Sequence, residues 1–291
     1  MSKIYPSFRP LIVDAGKSFT SLKANTINPK NWQGLSIGIP MREVFSNYFR
    51  VMMPYNREDL ASQCSPDLPW ADLHFEERVS MIPTNPGETY CLWPYYKEDV
   101  YRSNQGKFTH TYQERFWPKM AGENVMIEWK GDSFNSSLKT MFVSDIPKDH
   151  THPPMLGIRY PYGDLMDVVK LLSEDPLTRQ AYLPIWFPED TGVSHRGRVP
   201  CSLGYLFSYR DGFLHLSYDL RSCDYIRHFN NDLYMAGRLV LWMLERLREQ
   251  ENSPVDWTKV KPGILDLHIT SFHVFESDMY ELNKRLKKLD L

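Results

Sequence analysis

Residues 201 to 220 constrain the fold of this chain more than any other stretch. The runs CSLGYLFSY and FLHLSYDL are apolar, aromatic and of strand length, and they flank Arg210-Asp211-Gly212. Asp-Gly between two such runs is hairpin chemistry, because the tightest turns need positive φ at both central residues and few side chains adopt it cheaply. The second run continues through RSCDYIRHFNND into LYMAGRLVLWMLERLREQ, which has the length and apolar content of a mostly buried helix. Downstream, ILDLHITSFHVF reads as a strand and ESDMYELNKRLKKLDL as a terminal helix. Upstream, DLMDVVKLLSE sets Leu165, Val168, Val169, Leu171 and Leu172 near helical spacing and stops at Asp175-Pro176. AYLPIWF is apolar over strand length, and Pro184 assigns it to an edge or a bulge. The N-terminal half is proline-rich and reads as irregular. These elements predict a mixed α/β (α+β) fold in a single domain over residues 1–291.

Composition narrows the function classes. The chain has 291 residues, 42% hydrophobic and 24% charged, with a net charge of -2, so no global basic field points to a nucleic-acid polymer or an acidic membrane. No run has the apolar length of a signal peptide core or a membrane span, and the expected location is cytoplasmic. The four cysteines, Cys64, Cys91, Cys201 and Cys223, form no CxxC pair or zinc spacing. They are expected to be reduced thiols, available for nucleophilic chemistry. His150 and His152 lack a third ligand nearby, so no metal is expected.

Cys201 follows Arg198-Val199-Pro200 and begins the first hairpin strand. Arg179 lies between helix and strand, Arg221-Ser222 ends the hairpin, and Asp224 and Asp232 follow. These residue types can cradle a phosphate, favour a thiolate and hold a base. The order Asp164, Asp175-Pro176-Leu177-Thr178-Arg179, Pro200-Cys201, hairpin, Arg221-Ser222-Cys223-Asp224, long helix and His273-Val274-Phe275 resembles the catalytic half of thymidylate synthases. The resemblance covers roughly residues 160–275, and more loosely Asn85-Pro86-Gly87-Glu88-Thr89 with Trp93, then Tyr112 to Trp117. It implies a thymidylate synthase-like fold, a large mostly β-sheet dimer interface with surrounding helices, and an insertion at about 118–160.

The resemblance also implies roles. Cys201 would add to C6 of a pyrimidine nucleoside monophosphate and make C5 nucleophilic, with 5,10-methylenetetrahydrofolate as the one-carbon donor. Arg221 and Ser222 would hold the phosphate, Arg179 would reach the nucleotide of a partner in a homodimer, and His273 would contact the sugar. Asp224 and Trp93 would meet the folate. Tyr112 would stand close to the nucleophile, and Asp72 would be the acid that organises proton transfer, with Glu76 its rival.

Asp232 is the informative departure, because thymidylate synthases carry an asparagine there that reads uracil. A carboxyl accepts from the C4 amino group of cytosine and, when protonated, donates to N3. Phe229-Asn230-Asn231-Asp232 also resembles phage deoxycytidylate hydroxymethylases. The implied activity is hydroxymethylation of CMP or dCMP at C5. The alternatives are a C5-methyltransferase of the thymidylate synthase type, on dCMP or dUMP, and a nucleotide-binding relative without folate chemistry. Ser202 replaces the family's histidine after the cysteine, Gln180 a second arginine, and Phe275 a tyrosine that contacts the sugar. The family also continues past the position of Phe275 through a segment that closes over folate, which predicts a different closure here.

Overall fold

A computed structural model describes residues 3–21, 24–29, 38, 40–94, 108, 110–119, 163–191 and 199–289. Nearly all of the expected insertion, with His150, His152 and Arg198, lies outside the described residues. In chain order the elements are β1 (Ile4–Tyr5), α1 (Phe8–Ser18), β2 (Asn25–Ile27), β3 (Met41–Met52), α2 (Arg57–Cys64), α3 (Trp70–Val79), a 3-10 turn Glu88–Leu92 and α4 (Tyr112–Phe116). They continue with α5 (Leu165–Glu174), β4 (Tyr182–Pro184), β5 (Ser202–Arg210), β6 (Phe213–Asp224), a π-helical turn Tyr225–Phe229, α6 (Asn230–Arg248), β7 (Lys261–Phe275) and α7 (Met279–Leu289).

The hairpin forms as its turn predicts. Strands β5 and β6 pair antiparallel, and Asp211 and Gly212 turn the chain at φ 51° and 82°. Alternation then assigns the faces, with Tyr205, Phe207, Leu214, Leu216, Tyr218 and Leu220 buried in the core. Helix α6 carries the chain back so that β7 lies parallel to β6, a pairing that requires such a crossover. Among the described residues the resulting sheet has seven strands, in the order β1-β3-β7-β6-β5-β4 with β2 paired to β3. Strand β4 is the edge that Pro184 predicts.

Helices cover the core face. Helix α1 contributes Phe8, Leu11 and Ile12, α5 contributes Leu165, Val169 and Leu172, and α6 contributes Leu233, Val240 and Leu244, all buried in one cluster. Helix α5 starts on a capping box between Asp164 and Asp167. The N-terminal half is not irregular: β3 sits inside the sheet and pairs antiparallel with β7 along most of its length. Its alternation is interrupted at Ser46, with φ 55°, so Phe49 and Val51 face the core on one side of that residue and Val44 on the other. A change of phase within a strand hides the period of two.

The opposite face of the sheet is polar and aromatic. Exposed Tyr48 stacks on His268 at 4.2 Å, Arg50 pairs with Asp266 at 2.5 Å, and Phe45 is exposed nearby. No helix among the described residues is long and apolar enough to cross a membrane.

Candidate active site

Trp70, His74 and Arg78 fall four residues apart on α3, so they share one helix face, and that face forms one wall of an open cleft of about 790 Å³. Tyr90 and Trp93 come from the 3-10 turn and its end, and Tyr112 from α4. The sheet adds Cys201, just ahead of β5, and Ser222 and Cys223 on β6. Asp232 and Met235 enter from the start of α6, and His228 from the π-helical turn. Five residues anticipated from sequence, Cys201, Trp93, Tyr112, Ser222 and Asp232, therefore meet in one cleft.

Tyr112 is held beside Cys201 by its neighbour Ser202. The Tyr112 hydroxyl lies 3.0 Å from Ser202 Oγ, which is 2.6 Å from the Tyr218 hydroxyl. Ser202 is completely buried, and Tyr218 stacks on Tyr205 at 4.4 Å. Burial raises the pKa of all three tyrosines, so the chain of hydroxyls stays protonated. A serine after the nucleophile thus serves to anchor Tyr112.

Asp232 is the acid of the cleft. Burial pushes its carboxyl up to about 6, opposed by the positive charge of Arg78 and by the Cys223 thiol, which donates to Oδ2 at 3.5 Å. Its side chain does not cap α6; Phe229 occupies the cap position. His74 is buried and stacks on Trp70 at 5.0 Å, and burial, then the Arg78 charge, lowers its pKa to about 4, so it is neutral. Trp93 stacks on His228 at 4.9 Å.

Other anticipated residues stand elsewhere. Asp72, expected as the catalytic acid, does not line the cleft; its carboxylate takes Arg238, Tyr234 at 2.6 Å and Arg57 at 2.6 Å. Two residues past Trp70, it points about 200° around the helix from the cleft-facing stripe. The rival Glu76 also binds Arg238 and is largely exposed. Asp224, expected at the folate, caps the π-helical turn through the Ile226 and Arg227 amides and pairs with the Arg227 guanidinium at 2.7 Å. His273 is buried on β7 beside Phe275, away from the cleft-lining set, with Nε2 unpaired among the described residues.

The phosphate candidates bracket the nucleophile. Arg221 donates through Nε to the Pro200 carbonyl at 2.8 Å and through Nη2 to the Val199 carbonyl at 3.1 Å, fixing the chain just before Cys201. Arg179 is exposed in the turn between α5 and β4 and does not line the cleft of its own chain. Sequence reasoning missed Trp70, His74 and Arg78; their spacing of four was the available signal.

The acid expected on α3 does exist at Glu77, but it is spent on structure. Burial opposes its charge, yet hydrogen bonds from His74 and from Thr89 Oγ1 at 2.5 Å pull it down to about 2, and Gln113 Nε2 also donates to it at 2.7 Å. Gly87 permits this knot, since a Cβ there would stand 2.3 Å from Glu77 Oε2.

No family model matches the chain. A protein of Methanosarcina acetivorans named "Putative thymidylate synthase" is 30% identical over 112 residues, covering 38% of this chain and 45% of that protein. One of the same name from Methanosarcina barkeri is 28% identical over 154 residues, covering 52% and 64%. The chain thus spans about half to under two-thirds of the length of these relatives. The thermostable thymidylate synthase A from Bacillus subtilis superposes with a TM-score of 0.60 over 97% of this chain and 84% of its own, at 14% identity. The chain thus has a thymidylate synthase-like fold across nearly its whole length, and part of its sequence is similar to proteins named putative thymidylate synthase.

Proposed function

We propose that this chain is a folate-dependent transferase that adds a hydroxymethyl group to C5 of a cytidine monophosphate, CMP or dCMP. The observation that carries the reading is a buried carboxyl with a pKa of about 6, Asp232, in the same cleft as the thiol of Cys201. A carboxyl raised to about 6 keeps a protonated fraction near neutrality, and that form donates to cytosine N3 and accepts from the C4 amino group. Uracil offers N3–H and O4 in those places, and a desolvated site rejects a ligand that leaves its groups mismatched.

In this reading Cys201 adds to C6 while Asp232 protonates N3, so that C5 gains carbanion character. Tyr112, fixed through Ser202, sits beside the attacking sulfur. Arg221 keeps Nη1 for the phosphate after its two backbone bonds, and Ser222 lies next to it in the cleft. Arg179 points outward and serves the nucleotide of a partner in a homodimer formed through the exposed sheet face. The flat walls of Trp70, Trp93 and Tyr90 suit a fused heteroaromatic ring, and methylenetetrahydrofolate, bound there as co-substrate, supplies the one-carbon unit.

The test is to incubate the protein with methylenetetrahydrofolate and, separately, CMP, dCMP, UMP and dUMP, and to weigh the nucleotides. A gain of CH2O on cytosine nucleotides alone is expected. A gain of CH2 overturns the hydroxymethylase reading in favour of methylation, and modification of uracil nucleotides overturns the assignment of cytosine to Asp232.

A further inference from the structure

Arg78 is an anomaly in this cleft. It is 6% exposed, yet no carboxylate pairs with it among the described residues, and its Nε has no hydrogen-bond partner among them. Its guanidinium lies 4.0 Å from the centre of the Tyr112 ring. A buried cation without a counter-ion is expensive, and a donor left unpaired in a cleft is paid for by what the cleft binds. Its charge also acts on Asp232 and on Tyr112, favouring the ionised form of each.

These neighbours locate it over the substrate. On the reading above, on which this inference rests, Cys201 bonds to C6 and Asp232 meets N3 and the C4 amino group. C5 is the ring atom between C6 and C4. A group that lines the same cleft, rests on the tyrosine beside Cys201 and acts on Asp232 therefore faces C5.

We infer that Arg78 is a catalytic residue that holds the oxygen added at C5, first in the capturing water and then in the hydroxymethyl product. The water oxygen bonds to the exocyclic carbon on C5 and the carbon–carbon π pair moves into the ring. Expulsion of the Cys201 thiolate from C6 then restores the C5–C6 double bond, and N3 returns its proton to Asp232. The proton lost by the water and the proton lost from C5 both end on the two nitrogens of the folate that released the carbon, so atoms and charge balance without an added oxidant or reductant. A methyl product would present no acceptor and leave the guanidinium desolvated and unpaired, which makes Arg78 a determinant of water capture.

The binding arm of the test needs no folate. Calorimetry compares unsubstituted, 5-methyl and 5-hydroxymethyl cytidine monophosphates, ribo and deoxy, on wild type, Arg78→Met and Arg78→Lys. Wild type is expected to bind the hydroxymethyl nucleotide at least about tenfold more tightly than the methyl one. R78M is expected to lose that preference and R78K to keep part of it. Equal affinities in wild type, or an undiminished preference in R78M, overturn the role of Arg78 while leaving the cytidylate reading intact. If no cytidine nucleotide binds wild type, the reading itself falls and the inference with it. In turnover, R78M is expected to raise the ratio of tritium released from C5 to hydroxymethyl product at least about tenfold; an unchanged ratio assigns Arg78 to folding or general binding and overturns the role.

Discussion

Asp232 couples recognition to proton occupancy. Burial raises its carboxyl to about 6 from 3.8, so between about pH 4 and pH 6 the folded chain holds a proton that the unfolded chain has lost. Stability therefore falls as pH rises through that window, and above it the ionised, buried carboxylate costs about 3 kcal/mol. Asp232→Asn is expected to remove this slope, read from thermal melts across pH 4 to 7, and to shift the preference from cytosine toward uracil nucleotides by about 100-fold, read in competition. An unchanged slope would mean that another group carries the proton. Arg78 and Cys223 face Asp232, and both bias it toward the charged form, so R78M should move its titration upward. Of the cleft residues legible in the sequence, Cys201, Ser222 and Asp232 lie where the resemblance runs unbroken through strand and helix, and Trp93 and Tyr112 lie in its looser part. Arg78 was not legible, because it precedes that stretch and because an arginine on a helix reads as a solvated face until its neighbours are known.

Helix α3 shows what a helical period decides. The acid expected ahead of Trp93 was placed at Asp72 from order along the chain, and order does not say which way a helical side chain turns. Its carboxylate instead ties α3 to α6 through Tyr234 and Arg238 and to α2 through Arg57. Asp72→Ala leaves the Arg238 guanidinium with the exposed Glu76 as its carboxylate partner among the described residues and is expected to cost about 2–4 kcal/mol in chemical denaturation. Tritium release from C5 by the fraction that remains folded should change by less than about threefold, whereas a loss of about 100-fold or more would restore Asp72 to the chemistry. Helices α5 and α6, the hairpin and β7 were readable because caps, turn residues and periodicity agree locally. Strand β3 was not, since Ser46 breaks its alternation and its apolar residues find their partners more than 200 positions away, on β7.

At the scale of the whole molecule, the proposed dimer makes each cleft depend on two chains. Cys201 lines the cleft of its own chain and Arg179 faces outward. Cys201→Ser and Arg179→Ala should each be inactive alone, and after mixing with subunit exchange they should recover about a quarter of wild-type activity, since half the dimers are mixed and each has one intact site. No recovery, with exchange confirmed by mass, would place both residues in one subunit. Tyr48→Asp, in the middle of the exposed sheet face, should shift the sedimentation coefficient to that of a monomer.

The guanidinium of Arg78, which has no carboxylate partner among the described residues, has a consequence for anyone who would improve this protein. A free chain that keeps a desolvated cation in reserve for its ligand is less heat-resistant than it needs to be, and R78M should melt about 2–5 °C higher in the absence of nucleotide. Adding cytidylate should narrow or reverse that gap, because only wild type gains a partner for the charge. A screen that ranked variants by melting temperature alone would therefore select the substitution that disables the site, and an evolutionary lineage freed from catalysis would drift the same way.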